Sequence, residues 1–310
     1  MLLRSLILRV ADRPWIERFI KNSWVTRGVV KRFIAGDSLE EAMAATDALA
    51  QKGFRVTLDL LGEHTKTEAD ANAAAGEYVE MLERIARSPH SGGSPERINI
   101  SIKLTQLGLL ADTDRALERL EVLLSKAGEN NNFVRIDMED SDCTDRTLSV
   151  AAAAFKKRPN VGVALQSMLF RTGRDIEALI QLGMRVRLVK GAYLEPANVA
   201  HQRRDEVDAA YIACSYRLLA GGNFPAFGTH DGKIIERLSA YAKQHAIGQE
   251  RYEFQFLYGI RRDLQEGLRK EGYGVRVYVP YGSSWYPYFT RRLAERPANL
   301  LFFLRSMFSK

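Results

Sequence analysis

Two adjacent arginines near the C-terminus carry the sharpest chemical signal in the chain. Arg291 and Arg292 stand in the stretch VRVYVPYGSSWYPYFTRRLAERPAN (275–299), with Glu295 four and three positions further on. Side chains three and four apart share a helix face, so Glu295 is expected to brace both guanidiniums, with Trp285 and Tyr288 on the same broad face. Two guanidiniums held this way form a planar clamp for a small carboxylate or a phosphate. A second group of charges, Lys103, Asp137, Arg187 and Lys190, sits in or at the ends of apolar runs. Such charges are costly unless paired or used, which makes these four candidates for a site. Arg187 and Lys190 are an odd number of residues apart. An ideal strand points them to opposite faces, so either the strand bends or one of them lines a rim.

These residues need a scaffold that brings strand ends together. Apolar runs occur at 55–60, 98–104, 134–138, 161–166, 186–190, 224–229, 254–257 and 275–279. Amphipathic stretches near 67–87, 113–127, 144–157, 173–182, 204–220, 231–245, 261–271 and 284–296 follow them one for one. Strand and helix alternating throughout imply a parallel sheet, and eight units in 310 residues favour an α/β fold of the distorted (β/α)8 TIM-barrel type. The last helix follows its strand after a few residues only and is expected above the barrel mouth. An open doubly wound sheet is the competitor, weakened by the lack of a G-x-G-x-x-G after any strand. Residues 1–50 read as extra helices packed on the barrel, with an amphipathic helix over 14–34 and a capping box at Ser38-Leu39-Glu40-Glu41 opening the next. Residues 51–310 read as the barrel itself.

A barrel of this kind places its chemistry at the C-terminal strand ends. Those ends carry Asp59, Glu63 and His64; Lys103; Asp137, Glu139 and Asp140; Gln166 and Ser167; Lys190, Gly191 and Ala192; Thr229, His230 and Asp231; Gln255 and Leu257; and Tyr278. Asp140, Ser141 and Asp231 read as helix caps. The balance of the mouth is cationic, which suits an anionic ligand such as a carboxylate together with a phosphate-bearing cofactor. KGAY (190–193) offers backbone N–H groups beside a glycine for such a group.

Composition narrows the classes. Charged residues make up 27% and hydrophobic ones 46%, a globular balance. The net charge of +7 is modest, and the basic residues are scattered among acids, which argues against a nucleic-acid partner. Cys143 and Cys214 are the only cysteines and suit a reducing cytoplasm, with neither a disulfide scaffold nor a zinc site. The apolar N-terminal turn and the run LLFFLRSMF (300–308) are too short to span a bilayer but could lie in its interface, giving a peripheral attachment.

The segments SIKLTQLG (101–108), RIDMED (135–140), VALQS (163–167), RLVKGAY (187–193), FGTHD (227–231), EFQFLYG (253–259) and the C-terminal stretch from Val277 resemble the proline dehydrogenase family, most closely its short, monofunctional bacterial members. The resemblance implies a barrel that binds FAD in its mouth and oxidises L-proline to 1-pyrroline-5-carboxylate, with electrons passed to a membrane quinone. It also implies that a separate 1-pyrroline-5-carboxylate dehydrogenase takes the next step. It assigns Arg291, Arg292 and Lys103 to the proline carboxylate, Glu295 to bracing the clamp, and Tyr278 and Leu257 to the substrate ring. Arg187 falls near flavin N5 and Asp137 in the catalytic group. Met138, Gln166, Lys190, Gly191, Ala192, Thr229 and His230 fall among the FAD contacts. Leu194 departs from the larger bifunctional members, which carry Trp there. The base that takes the amine proton stays open between Asp137 and water. A Schiff-base aldolase using Lys190 and a non-catalytic anion-binding or nucleic-acid-binding barrel are the competing readings.

Overall fold

In the computed structural model of the chain, residues 30–62, 65–91 and 97–295 are described, with Arg13, Arg18, Ile20 and Gly28; of 292–295 only the backbone is described. Eight strands run as β1 (Arg55–Leu60), β2 (Ile98–Ile102), β3 (Val134–Ile136), β4 (Val161–Gln166), β5 (Arg185–Val189), β6 (Ala226–Gly228), β7 (Glu253–Leu257) and β8 (Gly274–Tyr281). They close into a barrel in chain order, every neighbour parallel, with β8 returning to β1. Helix α1 (Leu39–Gln51) precedes the barrel. Helices α2 (Glu68–Arg87), α3 (Thr113–Glu129), α4 (Thr144–Lys157), α5 (Thr172–Leu182), α6 (Arg204–Gly221), α7 (Gly232–Gln244) and α8 (Arg262–Lys270) follow β1 to β7 in turn, and α9 (Tyr286–Glu295) follows β8. The closed order excludes the doubly wound sheet.

Alternation along each strand decides what faces where. Val56 and Leu58, Ile98 and Ile100, Val186 and Leu188, Phe254 and Phe256, and Val277 and Val279 belong to the main apolar core. The intervening positions are polar. Thr57 donates to Asn99 (2.5 Å). Lower down, Glu253 accepts from Arg276 Nε (2.7 Å), Arg55 Nη1 (2.9 Å) and Gln255 Nε2 (2.5 Å), which closes the floor. Two strands end earlier than their apolar runs. β2 stops at Ile102 and β3 at Ile136, so Lys103, Asp137 and Met138 lie just beyond the ladder. β6 begins only at Ala226, because Phe224 has a positive φ of 45° and Pro225 has no N–H to donate.

Ser38 caps α1, accepting from the Glu41 N–H (3.2 Å), while Glu41 accepts from the Asp37 N–H (2.9 Å). Just before it, the chain clasps the barrel end. The Ala35 N–H donates to Pro280 O (2.9 Å) and the Gly282 N–H to Gly36 O (3.0 Å). Gly282 (φ +121°) makes this possible, since a Cβ there would lie 3.1 Å from Leu61 O in a conformation that side chains avoid. A second apolar cluster joins Ile20, Val30, Phe33 and Ile34 to Tyr286, Tyr288 and Phe289 of α9, and so seats the last helix. The expected helix over 14–34 lies mostly outside the described residues, as do both terminal apolar runs.

Candidate active site

Strands β2 and β3 are neighbours, while β5 and β8 lie further round the barrel, yet side chains at these strands meet at one point of the mouth. Arg187 Nη1 donates to Asp137 Oδ1 (2.5 Å) and to Ser101 Oγ (3.0 Å). Ser101 Oγ donates to Asp137 Oδ1 (2.9 Å), and the Tyr278 hydroxyl to Asp137 Oδ2 (2.6 Å). The Arg187 guanidinium lies 5.2 Å from the centre of the Tyr278 ring, a cation–π contact. Burial, then the Asp137 carboxylate, push the Tyr278 phenol well above its ordinary value. Arg187 is 4% exposed, and its Nε is buried without a hydrogen-bond partner among the described residues. An orphaned N–H of that kind is costly unless a group entering the mouth accepts it.

Lys103 stands beside this cluster, its ammonium 2.5 Å from Asp59 Oδ1. Burial pulls Lys103 down, but Asp59, Asp137 and Glu139 outweigh it and hold the ammonium above its ordinary value. Arg291, half-buried on α9, also reaches the mouth electrically. Burial, then Glu139, push Tyr193 up to about 12 while Arg291 and Lys103 pull against them. The side chains of Arg292 and Glu295 lie outside the described residues, so the brace expected from Glu295 lies there too. On α9 Tyr286, Tyr288, Phe289 and Thr290 are buried and Arg291 half-buried, as is Trp285 just before the helix.

The opposite side of the mouth is built from β4 to β7. Gln166 Nε2 donates to Glu139 O (2.5 Å), and Thr105 donates to the Glu139 carboxylate (2.7 Å). Met138 is buried beside them. Arg187 points into the barrel, whereas Lys190 lies past the end of β5 and pairs with Asp208 of α6 and more distantly with Asp231 (3.8 Å). The parity of the two residues is therefore satisfied by sending Lys190 to the rim. Gly191 follows at φ +117°, where a Cβ would strike Met168 Sδ at 2.3 Å. The next residue, Ala192, is half-buried. Thr229 Oγ1 accepts from the Asp231 N–H (3.2 Å), and His230 Nε2 accepts from the Leu257 N–H (3.0 Å). Leu257 pairs in register with Tyr278.

Of the expected caps, Asp231 accepts from the Lys233 N–H (3.1 Å). Asp140 and Ser141 do otherwise. Asp140 makes no capping bond, and Ser141 donates through both its N–H (2.8 Å) and its hydroxyl to Glu195, tying the loop after β5 to the loop after β3. A cavity of about 670 Å³ opens beside the mouth between α1, α2 and the β8–α9 turn. Its lining sets Asp37, Glu40, Asp70, Glu77 and Glu80 against Arg84, an acidic balance that disfavours an anion. Among the described residues no cluster of His, Cys, Asp and Glu is gathered as a metal site. No described helix is long and apolar enough to cross a membrane.

A closed parallel (β/α)8 barrel whose charged side chains meet at its C-terminal mouth has the architecture of a TIM-barrel enzyme. The chain belongs to the proline dehydrogenase family, whose family model, described as "Proline dehydrogenase", matches residues 42–305. It is 39% identical to the proline dehydrogenase of Deinococcus radiodurans over 312 residues, covering 99% of this chain and 98% of that one. It is 38% identical to proline dehydrogenase 1 of Bacillus subtilis strain 168, covering the whole of both. The bifunctional protein PutA of Escherichia coli K12 is 31% identical over 88% of this chain, which spans 24% of that larger protein. In fold, the chain is similar to proline utilization A from Bdellovibrio bacteriovorus, with a TM-score of 0.82 at 24% identity, over 95% of this chain and 36% of that one.

Proposed function

We propose that the chain oxidises L-proline to 1-pyrroline-5-carboxylate with FAD held in the barrel mouth. Family membership supports the coarser part of this reading, proline dehydrogenase activity and the first step of proline degradation. The residues present fit a flavin. The buried, unpartnered Arg187 Nε offers a donor to the edge of a ring, and Gly191 at positive φ lets the backbone come close. Met138, Gln166, Arg187, Lys190, Gly191, Ala192, Thr229 and His230 would line it. When bound, the flavin supplies the acceptor for the hydride leaving proline C5 and the relay of the electron pair to a membrane quinone.

The protein's own contribution is to hold and orient. Lys103, Arg291 and Arg292, with Glu295 bracing the pair, grip the proline carboxylate and so fix the ring. Tyr278 and Leu257 flank that ring. Asp137 already accepts from Arg187, Ser101 and Tyr278, which makes it an organiser of the mouth. Removal of the amine proton then falls to water admitted with the substrate. The product passes to a separate 1-pyrroline-5-carboxylate dehydrogenase. Both mouth lysines are ion-paired, Lys103 with Asp59 and Lys190 with Asp208, and nothing in that arrangement favours a Schiff-base aldolase.

The single observation that carries the reading is the buried Arg187 Nε at the mouth, which has no hydrogen-bond partner among the described residues. The test is the visible spectrum of the purified protein without oxygen. A yellow preparation that bleaches on adding L-proline is expected. A colourless protein, or a yellow one that proline leaves unchanged, overturns it.

A further inference from the structure

We infer that Ser101 is a positioning residue for proline oxidation: its buried hydroxyl fixes the plane of the Arg187 guanidinium against Asp137. The inference rests on the flavin reading above and concerns a residue that contacts neither ligand in it. Ser101 is fully buried and pairs in register with Asp59 on one side and Arg135 on the other. Arginine has only donors, so between Arg187 Nη1 and Ser101 Oγ, 3.0 Å apart, the serine oxygen must accept. The serine proton is then free to go to one place in reach, Asp137 Oδ1 at 2.9 Å. Arg187 Nη1 donates its other proton to that same oxygen at 2.5 Å.

The result is a closed triangle of hydrogen bonds with one possible direction of donation. A single Arg–carboxylate contact through one nitrogen is a hinge, about which the guanidinium can turn. A second acceptor on the same nitrogen removes that freedom. Both protons of Nη1 are thereby spent on the wall of the mouth, and Nε is left without a hydrogen-bond partner among the described residues. Ser101 thus helps set the plane in which the guanidinium presents Nε, although Asp137 supplies the charge. A fixed cation beside a flavin ring favours its electron-rich form, so the serine acts on the redox step and not on the carboxylate clamp.

The test compares Ser101→Ala with the unsubstituted, flavin-loaded protein, with Ser101→Gly as a second variant that also lacks the hydroxyl. Both should keep their flavin and a KM for proline within about twofold, while kcat falls about tenfold, the size of one lost hydrogen bond to a charged group. The midpoint potential of the bound flavin should become more negative. In an Arg187→Lys background the same serine change should cost less than about twofold more, because its effect runs through the guanidinium. Nitrogen-15 spectra of arginine side chains in the full chain should show slowed Arg187 rotation that Ser101→Ala releases, a readout needing no proline. An unchanged kcat and potential, full additivity with Arg187→Lys, or unaltered Arg187 rotation overturns the role of Ser101. Failure of the unsubstituted protein to bleach with proline overturns the flavin reading instead.

Discussion

Asp59 shows how a single carboxylate sets the chemistry around it. It is buried at the end of β1 and holds Lys103 at 2.5 Å. Lys103 has three donors, and one is fixed on Asp59, which directs the remaining two into the mouth. Asp59→Asn should therefore keep the flavin and raise the KM for proline about tenfold, with a smaller change in kcat, because one charge-assisted bond orienting the lysine becomes a weaker neutral one. Steady-state kinetics with proline check this, and an unchanged KM would separate Lys103 from the substrate. Lys103, Asp137 and Arg187 were legible in the sequence because charges in apolar runs demand a reason. Asp59 and Ser101 were not assigned roles, because an Asp at a strand end looks like any cap and a buried Ser costs too little to stand out. What gives them meaning is a partner distant in sequence, 44 residues away on the neighbouring strand's end for Asp59 and 86 away across the barrel for Ser101, which accepts from Arg187.

The elements divide in the same way. Strands and helices could be read from the run-and-stripe alternation, and the observed α4 and β4 match the expected spans to the residue. Contacts between loops could not. The bridge between Leu169 and Ala200 straps the loop after β4 to the loop after β5. Gly259 at φ +73° makes room for Arg32 O, where a Cβ would lie 1.8 Å away. Neither contact leaves a periodic trace. The seat of α9 is the case with consequences. Phe289 is fully buried, 6.3 Å from the Phe33 ring and 5.8 Å from Trp285, so a residue near the N-terminus helps hold the helix that carries Arg291. Phe289→Ala empties that seat, and burial of a phenylalanine of this kind is worth about 3–5 kcal/mol. The expected outcome is a KM for proline raised about tenfold or more with flavin content unchanged, alongside a lowered urea midpoint. A variant with a lower midpoint but normal KM would mean that α9 is held over the mouth by other contacts.

At the scale of the molecule, the floor of the barrel sets the mouth. Strand alternation puts Tyr278 on the same side as Arg276, two residues below it, and Asp59 on the same side as Arg55, four below. Fixing Arg276 and Arg55 on Glu253 therefore fixes the register of β7, β8 and β1, and with it the positions of the two mouth residues. The floor also has a pH signature. Burial alone would raise the Glu253 carboxyl, but Arg276 and then Arg55 outweigh it and hold it at about 2, against an ordinary value of 4.5. A folded value below the unfolded one means that the ionised carboxylate contributes stability above about pH 4.5, and that this contribution is lost as pH falls from there towards 2. Glu253→Gln should destabilise the protein by about 3–5 kcal/mol at pH 7, since it leaves Arg276, 2% exposed, facing a neutral group. Urea unfolding of both forms across pH 7 to 3 checks the sign. The gap between them should narrow only below about pH 4.5. A gap that stays constant through that range would mean that the Glu253 charge does not hold the floor.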